Sequence, residues 1–166
     1  MAEISVANKD WSIVGAVKAA LAGATIEGQA AFQAVRVTAS EVDFRGVQMR
    51  EKPVAVVRYV TTVEDRGLDG ERNCRLSAEL LVATMVQAAG VDEAGRIQEA
   101  LRLANAAKNA VESAVPADAE AVGDGNFHAR RIDWGRVALD ATTARPWAIA
   151  TLPVTFGYLL NSGTAH

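Results

Sequence analysis

The chain has 166 residues, half of them hydrophobic, a formal net charge of −3 and one cysteine. Its length and apolar content suit a single folded domain with its own core and exclude a disordered chain. A near-neutral charge supplies no basic field for phosphate backbones, the lone Cys74 cannot close an intramolecular disulfide, and no run approaches the ~18 apolar residues of a membrane span.

The opening residues MAEISVANKDW include acidic groups and no apolar segment, so no secretory signal is expected and synthesis is placed in the cytoplasm. Asp10 or Ser12 can cap a first helix over about 11–22, in which Val14, Val17 and Leu21 fall at helical spacing and Gly23 ends the run. So short a helix is marginal alone and must dock on something. Residues 31–38, AFQAVRVT, read as a first strand. A charged segment at about 40–52 follows and is long for a simple connection, so an exposed arm is expected there. Its apolar members Phe44, Val47 and Met49 either fold back on the chain's own sheet or pack on another subunit.

The strongest signal is the β-patterned stretch 53–84, centred on the Asp69-Gly70 turn dipeptide. Residues 54–63 are strongly β-branched. Residues 73–84 alternate, with Cys74, Leu76, Ala78, Leu80 and Val82 on one face and Arg75, Ser77 and Glu79 on the other. Asp92 then caps a main helix over about 92–115, with Ile97, Leu101, Ala104, Val111 and Val115 near one stripe and Pro116 as its stop. The acidic segment 117–126 reads as a solvated loop. Residues 127–140 alternate imperfectly, and Gly135 breaks their phase as a bulge or turn does. A last strand over 147–160 places Ala148, Ala150, Leu152, Val154, Phe156 and Tyr158 on one face. Pro153 within it argues for an edge position or a bulge.

The expected architecture is therefore α+β. It has a mostly antiparallel sheet of about four to five strands, helices packed on one face and the order α-β-β-β-α-β-β. Residues 1–166 form a single domain with a frayed tail from about 161.

No pattern for catalysis or cofactor binding stands out. Zinc needs about four N or S ligands, and Cys74 with His128 and the terminal His166 does not supply them. Cys74 lies on an apolar strand face and reads as a core residue. No Gly-x-Ser-x-Gly elbow occurs, and Gly123-Asp124-Gly125 opens no helix that could cradle a phosphate. Asp65, Asp69 and Glu71 cluster at a turn and read as solvated acids. Arg36, Arg58 and Arg75 lie within strands, on either a solvent face or a positively lined surface for an acidic partner. Glu79 on a strand facing Arg58 is the sort of pair that a small-molecule-binding domain or an enzyme using carboxylates would employ.

The layout resembles the tail terminator proteins of long-tailed bacteriophages, the lambda-type neck family. The matching features are the short first helix WSIVGAVKAALAG, the paired strands PVAVVRYVTTVED and NCRLSAELLVATM, and the helix DEAGRIQEALRLANAAKNAVESAV. The late pair RRIDWGRVALDAT and ATLPVTFGYLL completes the set. The resemblance covers most of the chain and rests on layout, because the family has no short diagnostic motif. It implies a structural virion protein with no enzymatic activity and no cofactor. Such a protein assembles in the host cytoplasm as a ring, typically a hexamer, in the tail or neck of the particle. The ring caps the tail tube, ends polymerisation of the major tail tube protein and offers a docking surface to the head connector. Candidate subunit-interface residues are then Phe44, Arg45, Val47, Met49 and Arg50 of the arm with Arg58, Arg75 and Glu79 of the sheet. The alternatives are another phage-like head-completion or baseplate protein, or a small-molecule-binding α+β domain.

Overall fold

The computed structural model describes residues 9–42, 53–66, 71–85, 92–114, 131–140 and 147–161. In chain order the elements are α1 (Lys9–Ala22), β1 (Thr25–Ile26), β2 (Gln29–Ala30), β3 (Ala34–Thr38), β4 (Val54–Arg66), β5 (Glu71–Met85), α2 (Glu93–Ala114), β6 (Arg131–Trp134), β7 (Ala138–Asp140) and β8 (Trp147–Asn161). The main sheet has six strands in the order β3-β4-β5-β8-β6, and β7 also pairs with β8. The class is α+β as expected, but the sheet is larger than four to five strands. It is mostly antiparallel, as expected, with β3 parallel to β4 and the other described pairings of the main sheet antiparallel.

Period-2 alternation decides which side of this sheet is buried. Cys74, Leu76, Ala78, Leu80 and Val82 of β5 pair side by side with Tyr158, Phe156, Val154, Leu152 and Ala150 of β8. All ten are buried. Both helices cover this face, α1 over β3 and β4, α2 over β5, β7 and β8. Helix α1 contributes Ile13, Val14, Val17 and Leu21 to the core. Helix α2 contributes Ala100, Leu103, Ala104, Ala107 and Val111. Its alanines let the helix axis approach the sheet closely. Burial of each large side chain here, such as Phe156 or Leu80, contributes roughly 1.5–3 kcal/mol.

Several sequence expectations are corrected by these neighbours. Helix α1 begins at Lys9, ahead of both Asp10 and Ser12, so neither is the cap expected of it. Asp92 does cap α2, accepting a hydrogen bond from the Gly95 N–H at 3.0 Å. Leu101 leaves the expected buried stripe and is exposed, because the smaller Ala100 and Ala104 take the sheet-facing positions. The residues after Gly23 form a short hairpin that no pattern in the sequence marks. Thr25 pairs with Ala30, Ile26 pairs with Gln29, and both loop residues have positive φ, Glu27 at 52° and Gly28 at 79°. That is the twist a two-residue hairpin loop requires, with glutamate in a conformation glycine or asparagine adopts more readily.

Strand β8 is an interior strand, not an edge, since β5 lies on one side of it and β6 and β7 on the other. Pro153 is tolerated there because its partner strand is broken. Trp134 pairs with Val154 and Ala138 with Thr151, so one extra residue is accommodated in 135–137. The Pro153 carbonyl accepts the Gly135 N–H at 2.8 Å, so the proline's missing donor faces the same interruption and not β5. Gly135 is required at this point, because a Cβ would sit 2.9 Å from the Pro153 Cβ.

The second face of the sheet carries no described helix. At one end Val54, Val56, Ala83 and Trp147 form a small buried cluster, joined by Val42 from the connection after β3. The start of that connection thus folds back on its own sheet. The remainder of the expected arm, the Asp69-Gly70 turn, the 117–126 loop, Val115, both histidines and the tail after Asn161 lie outside the described residues.

Candidate functional site

Alternation along the strands sends Arg58, Arg75 and Glu79 to the face free of described helices, where the sheet registers bring charges together. Arg58 stands directly opposite Glu79 on β4 and β5. Its Nη1 meets Glu79 Oε2 at 2.7 Å, with about three-tenths of each side chain exposed (28% and 29%). The pairing suggested by the sequence is therefore present. Arg75 bonds Asp65 at 2.9 Å, and both side chains are largely exposed. Arg131 and Asp133 of β6 continue the pattern at 2.8 Å. Thr155 of β8, paired with both Ser77 and Asp133, fills the space between them. The result is a polar band of alternating charge beside the apolar Trp147 cluster. Isolated exposed pairs of this kind contribute ~0–1 kcal/mol to stability, so their larger effect is on which surface can meet this one.

Phe44, Arg45, Val47, Met49 and Arg50, the arm members of the expected interface, lie outside the described residues.

A second polar arrangement lies under α1, and a bulge creates it. Between Tyr59 and Thr61 the β4 register shifts by one residue. Without that shift Tyr59 and Thr62 would point to opposite faces; with it both point toward the helices. Thr62 Oγ1 donates to Asp10 Oδ2 at 3.0 Å, and the Tyr59 hydroxyl lies 2.7 Å from Thr62 Oγ1. Since the Thr62 proton is committed to Asp10, Tyr59 is the donor in that second bond. The Tyr158 hydroxyl donates to the other oxygen of Asp10. Burial first, and then the adjacent Asp10 carboxylate, raise the Tyr158 hydroxyl well above the ordinary phenol range. One carboxylate thus ties the first turn of α1 to β4 and β8.

Beside it lies a mostly apolar groove of about 460 Å³ lined by Asp10, Trp11, Val14, Val37 and Tyr59, with Thr38 and Ala39 at its margin. Trp11 is 64% exposed at its mouth. Nothing in the residue pattern marks this groove, because the bulge that turns Thr62 inward has no residue signature and Asp10 reads equally well as a cap. Neither Glu79 nor the strand arginines line it.

Among the described residues no group of three or more His, Cys, Asp or Glu side chains could hold a metal ion. Cys74 is buried on the helix-covered face, where the alternation placed it. No described helix is long and apolar enough to cross a membrane. Comparison with protein-family models and with curated proteins found no match.

Proposed function

We propose that this chain is a structural ring protein of a phage-like particle, one that caps a tail tube, ends its polymerisation and offers a docking surface to the head. The single observation that carries the reading is the face of the six-stranded sheet on which no described helix lies. With both described helices on one side, the described strands present their other side as a broad surface. That surface bears registered ion pairs, Arg58 with Glu79 and Arg75 with Asp65, and the exposed Val63 beside them. Paired charges of both signs favour a partner whose charges alternate in turn and penalise wrong ones, which is what a geometrically specified protein contact needs. The mixed α+β layout, with a helix before the long hairpin and a second between it and the last strands, agrees with the resemblance to tail terminators.

The partners on this reading are further copies of the chain, the major tail tube protein and the head connector. Light scattering behind size-exclusion chromatography, with electron microscopy of the same fractions, is the direct test; closed rings are expected. Genes for a tail tube and a tape measure are the expected neighbours, and their absence sinks the phage reading.

A further inference from the structure

We propose that copies of this chain join head to tail by pairing the outer edge of β7 in one copy with the outer edge of β3 in the next. This deepens the ring reading and rests on it. Strands β3 and β7 stand at opposite edges of the six-stranded sheet, each hydrogen-bonded on one side only among the described strands. Following directions across the sheet, β3 and β4 run together and each later neighbour reverses. The β7 of one copy is therefore antiparallel to the β3 of the next when the two sheets continue in one sense. A contact between two different edges is heterologous, the kind that closes rings.

Backbone and side chains agree on the register. The Pro153 carbonyl faces Gly135, so alternation turns Thr151 and Ile149 the same way, toward their β7 partners Ala138 and Asp140. Leu139, between those partners, directs its own N–H and C=O outward. Its side chain is on the helix-covered face of the sheet, as is that of Val37, which lines the groove under α1. Leu139 is 41% exposed, and the groove of about 460 Å³ has room for it. Placing Leu139 opposite Val37 also sets Asp140 opposite Arg36, both on the helix-free face, which makes the charges complementary. The same docking brings the exposed Trp11 toward the exposed Leu101. Leu101 is seven residues from Lys108, hence on the same side of α2, and Lys108 lies over the Trp134 ring near this edge.

The register sets Thr38 opposite Ala138, a position suited to a disulfide, and the native Cys74 is buried. Oxidising full-length protein that carries both Thr38→Cys and Ala138→Cys is expected to give a ladder of covalent multimers on a non-reducing gel, with neither single variant doing so. Arg36→Asp or Asp140→Arg alone is expected to weaken self-association about tenfold, and the two together to restore it. A multimer seen by light scattering that the cysteine pair does not cross-link overturns the edge pairing and leaves the ring reading standing. A cross-linked dimer from either single variant also overturns it, because that is a two-fold contact. A chain that is monomeric throughout overturns both.

Discussion

The two faces of one sheet are built by different rules. On the helix-covered face, neighbouring strands present Leu76, Leu80, Leu152, Val154 and Phe156, all buried, and cohesion comes from apolar area removed from water. On the other face β4, β5 and β8 present Arg58, Glu79, Arg75 and Thr155, half-buried or exposed, and the buried apolar cluster among the described residues lies at the Trp147 end. The difference separates what holds the domain together from what it offers to others. Substitutions on the first face should act on folding, and those in the polar band on assembly.

The sharpest way to break this contrast is to truncate one residue on each face of β8. Phe156→Ala should cost about 3–5 kcal/mol in denaturant unfolding, whereas its neighbour Thr155→Ala should fall within about 0.5 kcal/mol. Comparable losses at both would make the polar band part of the core. A smaller effect is expected where the faces meet the β6–β7 break. Gly135→Ala drives a Cβ into the rigid Pro153 ring and should cost about 1–3 kcal/mol, with hydrogen exchange faster in 131–140 than elsewhere. An unchanged midpoint would mean that the break yields freely.

Tyr158→Phe removes a donor to Asp10 and should cost about 1–2 kcal/mol near neutral pH. It should also change the alkaline limb of the stability profile. The folded-state pKa of Tyr158 is raised, so its contribution is fully present below the ordinary phenol value of about 10. Above that value the unfolded chain ionises while the folded one stays neutral, and the contribution falls. The difference in unfolding free energy between wild type and Tyr158→Phe, followed from pH 8 to 11, should therefore shrink as pH rises past about 10. A difference independent of pH would mean that the hydroxyl is no more buried than in the unfolded chain.

The smallest effect belongs to the polar band. A double-mutant cycle on Arg58→Ala and Glu79→Ala should give a coupling of about 0.5–1 kcal/mol. A coupling of several kcal/mol would place the pair among buried structural ion pairs and weaken its assignment to an interaction surface.

Much of the candidate surface is legible in the sequence. The parity of Arg75, Ser77 and Glu79 against Cys74 and Leu76 assigns each to a face, and a hairpin that starts near Val54 makes Arg58 and Glu79 plausible neighbours. The groove and the edge contact were not legible. The groove needs a one-residue register shift at Val60, and no local propensity marks one. The edges depend on strand order, and nothing in AFQAVRVT says that its neighbour will be parallel. Two-residue strands such as β1 and β2 are too short to show a period, so that hairpin has no signature in the sequence.

By itself the sequence determined which residues of each long strand and helix face a core, because burial of apolar area follows a period of two or about 3.6 and that period is written in residue type. It also determined that Gly135 and Pro153 were special. Tertiary structure alone decided that they meet, that β8 is interior, that Asp10 bridges α1 to β4 and β8 instead of capping a helix, and that β3 and β7 are the edges. Those outcomes depend on which segments, distant in sequence, become neighbours. That choice is made by the packing of the whole sheet and not by any local run of residues.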